Sequence, residues 1–275
     1  MANAPKPTTA KKESSGSSIF ASLSIVLCIL VGTLLWKFVM GDPSNFEGGD
    51  PETGHPLPGN YFGMVYKGGL IVPLLMGLFL MVIVFSFERF FVISKATGKG
   101  NIDSFVKKIQ SFITAGSIDS AISECDKQEG SVANVIKSGL KKYKEMETEA
   151  KMDTEQKCLA IQKDIEEATS LEMPMLEQNL TVIATLVSIG TLMGLLGTVT
   201  GMIKAFAALS SAGSPDQAAL ANGISEALIN TATGIATSAL AIVMYNIFTS
   251  KIDKLTYAID EAGFSIVQTY ASTHK

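Results

Sequence analysis

LTVIATLVSIGTLMGLLGTVTGMIKAFAAL (residues 180–209) and NGISEALINTATGIATSALAIVMYNIFT (residues 222–249) are two apolar segments joined by a short polar loop. Each exceeds the roughly 20 apolar residues that suffice for a helix to cross a bilayer. The chain therefore reads as a membrane protein. In the first segment Gly190, Gly194, Gly197 and Gly201 fall within an arc of about 60° when successive residues turn by about 100°. One face of that helix is nearly bare backbone. Close packing is its use, because helix association in lipid relies on short interaxial distance. Thr191 and Thr198, a heptad apart, lie on an adjoining face. The second segment carries Glu226, Asn230, Thr231, Thr233, Gly234, Thr237 and Ser238, more hydroxyl and amide than a lipid-facing helix needs. Those residues are expected to face protein or water, with Gly234 adding to the packing set.

Composition agrees. Apolar content is 47%, charged content 17% and mean hydropathy +0.31, against about a quarter charged in soluble chains. The net charge of -4 carries little information, the lysines are not clustered as a nucleic-acid footprint requires, and Arg89 is the only arginine. No nucleic-acid partner is expected. Cys28, Cys125 and Cys158 lack CxxC spacing and read as free thiols. His55 and His274 stand apart in a loop and a tail, so neither a metal nor another cofactor is expected. An enzyme finds little support: no nucleophile is paired with a base, and Thr97-Gly98-Lys99 lacks the upstream glycine of a phosphate-binding loop.

From the start, residues 1–18 are rich in Lys, Pro, Ser and Thr and are expected to be a disordered tail. Residues 19–40 are the first apolar run, with Trp36 and Lys37 as interfacial anchors. A cleaved signal peptide is the alternative, but no small-x-small pattern follows Met40. Residues 41–67 form a polar, proline-containing loop, and 68–93 a second crossing. Residues 94–178 are charged and helical: Phe105, Ile109, Phe112 and Ile113 have amphipathic spacing. Ser117 and Ser131 suit N-caps. Leu159, Ile161, Ile165, Ala168 and Leu171 lead toward the third crossing, with Pro174 placed to bend the helix. The third crossing is 179–209, the second loop 210–221, the fourth crossing 222–249, and 250–275 a C-terminal helix.

Orientation follows from the lysines. The N-terminal tail, residues 94–178 and the tail after Ser250 carry most of them, whereas the acidic proline loop holds a single lysine and the loop at 210–221 none. Four crossings put both termini and the helical domain in the cytoplasm. Lys204 and Glu226 stand about equally far from the loop midpoint, so a hairpin brings them to similar depth as an ion pair. Ionised groups at such depth are costly and invite a functional reading, with a structural pair or snorkelling as the alternative. Membrane threonines likewise often bond back to a carbonyl one turn earlier. Glu226 is the only carboxylate of the two segments, so a carboxylate relay here needs either Glu226 or an acid from a partner chain.

These residues carry a resemblance. Gly194-Leu195-Leu196-Gly197-Thr198-Val199-Thr200-Gly201-Met202-Ile203 resembles the third-crossing signature of the MotA/TolQ/ExbB proton channel family. Gly223-Ile224-Ser225-Glu226-Ala227-Leu228-Ile229-Asn230-Thr231-Ala232-Thr233-Gly234, followed by Tyr245-Asn246, is similar to the next helix of its ExbB and TolQ members. The likeness extends over residues 68–268. It implies an all-α membrane protein of the bacterial inner membrane, assembled as a homopentamer whose two inner helices line a central pore. It also implies a dimer of an ExbD-like single-span partner whose membrane aspartate takes and releases protons, with work passed to a TonB-like protein. Carried onto matching positions, the pore residues are Thr198, Thr231 and Glu226, joined by Thr191. Many relatives carry Ala-Pro where this chain has Gly190-Thr191, and ExbB-like chains often have three crossings. Four crossings match a MotA-like stator, the competing assignment, alongside a TolQ-like subunit. A passive scaffold is the reading from another class.

Overall fold

The structure is a computed structural model that describes residues 14–210 and 216–274, with side chains from Ala21 onward. Every long element is helical: α1 (Ser14–Leu35), α2 (Tyr61–Tyr66), α3 (Val72–Thr97), α4 (Ile102–Thr114), α5 (Ile118–Gln128), α6 (Gly130–Thr148), α7 (Thr154–Glu177), α8 (Leu180–Leu209) and α9 (Gln217–Thr273). Among the described residues no strand forms, and one isolated bridge joins Phe46 to Pro56. Among the described residues, four stretches are helical, long and apolar enough to cross a membrane: Ala21–Met40, Gly69–Thr114, Thr154–Leu209 and Gln217–Thr273.

Several expected boundaries move. Residues 1–13 of the tail expected to be disordered lie outside the described residues. Ser14 to Ser18, expected to share that disorder, belong instead to the first turns of α1. Extending a helix costs little once a nucleus exists. The fourth apolar run and the C-terminal segment form one 57-residue helix, α9, which also begins five residues before Asn222. Ser131 is not an N-cap. Glu129 takes that position with φ 56°, and α6 starts at Gly130. Gly130 has φ +83°, and its Cα face meets the Gly98 backbone, where a methyl carbon would lie 2.7 Å from the amide nitrogen. Ser117 does occupy the N-cap position of α5, without a side-chain cap bond.

The chain divides into two compact units, Met1–Val84 with Thr185–Ala241 and Phe85–Ala184 with Ile242–Lys275. In the first, α1 crosses α3 where Gly32 meets Gly77, close enough that a methyl on Gly32 would lie 2.7 Å from the Gly77 nitrogen. The loop after α1 is ordered. Asn45 is buried and donates to the carbonyls of Val39 (2.9 Å) and Met40 (3.0 Å). Trp36 stacks on Tyr66 at 4.6 Å and is half-buried.

In the second unit, α4 to α7 pack with the end of α9 around Ile109, Ile136, Leu140, Ile161, Ile259 and Ile266, all essentially inaccessible to solvent. Asp153 opens α7 with a capping box to Gln156. Pro174 lies in the last turn of α7, and the chain breaks at Asn179, whose φ is +62°. The carbonyls left over at that break find a donor in Arg89. It is 1% exposed, pairs with Glu88, and gives Nη1 hydrogen bonds to Met175 O (3.1 Å) and Leu176 O (3.2 Å).

Candidate functional site

The site is built on the helix pair of the first unit. The glycine stripe of α8 meets the α9 backbone at Gly194 and Gly201, and the Ser238 and Asn230 side chains at Gly190 and Gly197. A methyl on Gly201 would lie 2.7 Å from Gly223 O and Ala227 N, one on Gly194 3.1 Å from Asn230 O and Gly234 Cα, and one on Gly190 2.7 Å from Ser238 Oγ. From the other side, a methyl on Gly234 would lie 2.6 Å from Gly190 O. Residue numbers rise along α8 as their partners fall along α9, so the two helices are antiparallel and in a single register.

That register decides which polar side chains meet. Thr191 Oγ1 donates to Ser238 Oγ at 2.8 Å. Thr198 and Thr231 share a hydroxyl–hydroxyl hydrogen bond. Lys204 Nζ donates to Glu226 Oε1 (2.7 Å) and Oε2 (2.9 Å). Thr191 and Lys204 stand thirteen residues apart on α8, a rise of about 20 Å, which is about two thirds of a bilayer's hydrocarbon thickness. The three contacts thus form a polar ladder between the helices.

Each threonine also bonds one turn back: Thr191 to Val187 O (3.2 Å), Thr198 to Gly194 O (3.2 Å) and Thr231 to Ala227 O (3.0 Å). Local back-bonding satisfies a membrane hydroxyl but does not explain why two hydroxyls meet across the pair. Thr198 and Thr231 have two hydroxyl protons for three contacts, since each hydroxyl donates once and accepts through two lone pairs. Which threonine donates across the pair can therefore alternate, and an acceptor position is always open there.

The ion pair is asymmetric. The Glu226 side chain is 10% exposed and that of Lys204 56%. The carboxylate is thus held inside the unit, and the ammonium reaches it from a more open position.

Three further residues belong to this site: Asn230 and Ser238, expected from sequence only to face protein or water, and Gly69, which the sequence did not single out. Asn230, wholly buried, donates Nδ2 to Gly68 O at 2.9 Å. Gly69, with φ +80°, lies against the Glu226 carboxyl, where a methyl carbon would be 2.8 Å from Cδ. Ser238 closes the outermost of the three cross-helix contacts from Lys204. Asn230 and Ser238 had a signal in their polarity within an apolar run. Gly69 had none, because what makes it matter is a side chain far away in sequence. Of the residues predicted to act together, the structure brings Thr198 to Thr231 and Lys204 to Glu226, while Thr191 meets Ser238 and none of the others.

A model of the MotA/TolQ/ExbB proton channel family matches residues 127–261. The chain is 30% identical over 112 residues to an ExbB-like biopolymer transport protein of Synechocystis sp., covering 40% of this chain and 53% of that one. It is 27% identical over 157 residues to the Tol-Pal system protein TolQ of Pseudomonas aeruginosa, covering 57% and 68%. It is 39% identical over 85 residues to the biopolymer transport protein ExbB of Salmonella typhimurium, covering 31% and 35%. The chain thus spans about half the length of the first of these relatives.

Proposed function

Because the chain belongs to the MotA/TolQ/ExbB proton channel family, we propose that it is the proton-channel and stator subunit of an ExbB–ExbD-type motor that uses the proton motive force. The observation that carries this reading is the Thr198–Thr231 contact, a donor-and-acceptor point between two glycine-packed helices in a hairpin whose only described acids are Glu226 and Asp216 of the loop. A buried unpaired charge costs several kcal/mol. A partner's membrane aspartate then prefers a polar wall such as this one when ionised and an apolar one when protonated. Five equivalent walls in a homopentamer convert that preference into stepwise rotation of the partner.

In this reading the chain crosses the bacterial inner membrane four times, with both termini and the helices between α3 and α8 in the cytoplasm. Thr191, Thr198, Thr231 and Glu226 line the pore, and Gly190, Gly194, Gly197, Gly201 and Gly234 hold its wall together. The partner is a dimer of a single-span, ExbD-like protein with a membrane aspartate, and the work passes through a TonB-like protein to outer-membrane transport. The exposed apolar side chains of α8, Leu192, Leu195, Val199, Ile203 and Phe206, supply surface for neighbouring copies and lipid. A TolQ-type role rests on the likeness to a Tol-Pal protein, and uses the same site with a different partner.

The test is mild-detergent capture of the full chain from its native membrane, followed by native mass spectrometry. A pentamer holding a small single-span protein with a membrane aspartate is the expected result. A larger wall-binding partner points to a flagellar-type stator. A homo-oligomer without a partner in several detergents, together with normal proton-driven work by Thr198→Val and Thr231→Val, overturns the reading in favour of a scaffold.

A further inference from the structure

Asn230 stands one helical turn after Glu226 on α9 and is wholly buried. Its Nδ2 donates to Gly68 O, while its Oδ1 is buried without a hydrogen-bond partner. A leucine has the same branched side-chain skeleton without an orphaned acceptor, and an unsatisfied buried acceptor costs free energy. Packing stability alone therefore does not account for an amide here. What the amide does is hold one carbonyl.

That carbonyl belongs to the residue before the short 3-10 turn Gly69–Ile71, which leads into α3. Gly69 has φ +80°, a conformation open to glycine, and its bare Cα face rests against the Glu226 carboxyl. Lys204 approaches the same carboxyl at 2.7 and 2.9 Å. Glu226 is thus held between a cation and a glycine wall. Asn230 ties the residue next to that wall to α9, the helix that carries Glu226.

We propose that Asn230 is a positioning residue for Glu226: by tying Gly68 to α9 it holds the Gly69 turn as the back wall of the carboxyl and keeps Glu226 on Lys204. The functional weight of this arrangement rests on the reading of Glu226 as part of the proton path, whereas the arrangement itself does not.

The test uses the full chain in native membrane vesicles and a lipid-soluble carbodiimide, with mass spectrometry of the labelled peptides. Labelling at Glu226 is read relative to Glu88, a carboxylate that is also mostly buried and paired with a cation, so that general loosening raises both. Asn230→Leu is expected to raise that ratio about five- to tenfold, the scale of one hydrogen bond. Gly69→Ala, which places a methyl against the carboxyl, is expected to raise it similarly. Asn230→Ser is too short to reach Gly68 O and replaces the leucine variant if that one does not assemble. An unchanged ratio in an assembled Asn230 variant overturns the proposal. Proton-driven work in the same vesicles separates the two ideas: a raised ratio with normal work keeps Asn230 as the positioning residue and removes Glu226 from the proton path.

Discussion

A methyl carbon placed on Gly234 would lie 2.7 Å from the Cα of Gly194 and 2.6 Å from the carbonyl oxygen of Gly190. The obstacles are backbone atoms of the facing helix, so no side chain can swing aside. Gly234→Ala is expected to force α8 and α9 apart and to destabilise the pair by about 1–3 kcal/mol. Gly234→Val is expected to prevent a stable hairpin. Thermal unfolding of the detergent-solubilised chain checks the first, and protease resistance of the hairpin the second.

The two halves of the Lys204–Glu226 pair are expected to respond unequally to removal. Lys204→Met leaves a carboxyl that is 10% exposed without its cation, at a cost of about 3 kcal/mol. Glu226→Gln leaves a lysine that is 56% exposed and can be solvated, at a cost below about 1 kcal/mol. Unfolding curves of both variants under one condition decide this. Equal losses would mean that the pair is as exposed at one end as at the other.

Arg89 is expected to tolerate no substitution by lysine. Its fork pairs with Glu88 and also reaches the Met175 and Leu176 carbonyls where α7 ends. A lysine offers a compact ammonium that cannot match that geometry. Arg89→Lys should destabilise the unit by about 2–3 kcal/mol and open the α7 end to proteolysis near Pro174. Limited proteolysis with mapping of the cut sites reads this directly.

Cys125 is expected to be inert to alkylation at neutral pH unless the chain unfolds. Burial pushes its thiol up from 9.0 to about 12, with the neighbouring Asp126 carboxylate adding to the shift. The unfolded chain releases this proton near pH 9 and the folded chain only near pH 12. The thiol's contribution to stability is therefore complete below pH 9 and declines as pH rises from there toward 12. Cys125→Ala should flatten that decline, as followed by circular dichroism across the alkaline range.

Several features could be read along the chain because their causes are local. The apolar runs, the glycine stripe of residues 190, 194, 197 and 201, and the heptad from Thr191 to Thr198 depend only on composition and on the turn of a helix. The capping box of Asp153 with Gln156 has the same local character and was there to be found.

Other features needed the packed chain. Tertiary contact alone pairs Thr198 with Thr231, since shifting one helix past the other by a turn would match different hydroxyls. Backbone contact at the glycines holds that register. Asn230 and Gly68 are separated by 162 positions, and Arg89 and Leu176 by 87, so no periodicity within either segment points to the other. The move of the α6 N-cap from Ser131 to Glu129 has a similar origin, because it goes with the packing of Gly130 against the Gly98 backbone, where no Cβ fits. The sequence by itself determined helices, their polar faces and their bare faces, for these follow from residue type and the 3.6-residue period. Only the tertiary structure decided which polar atoms meet and which buried carboxyl is held, because those outcomes depend on how closely separate segments approach.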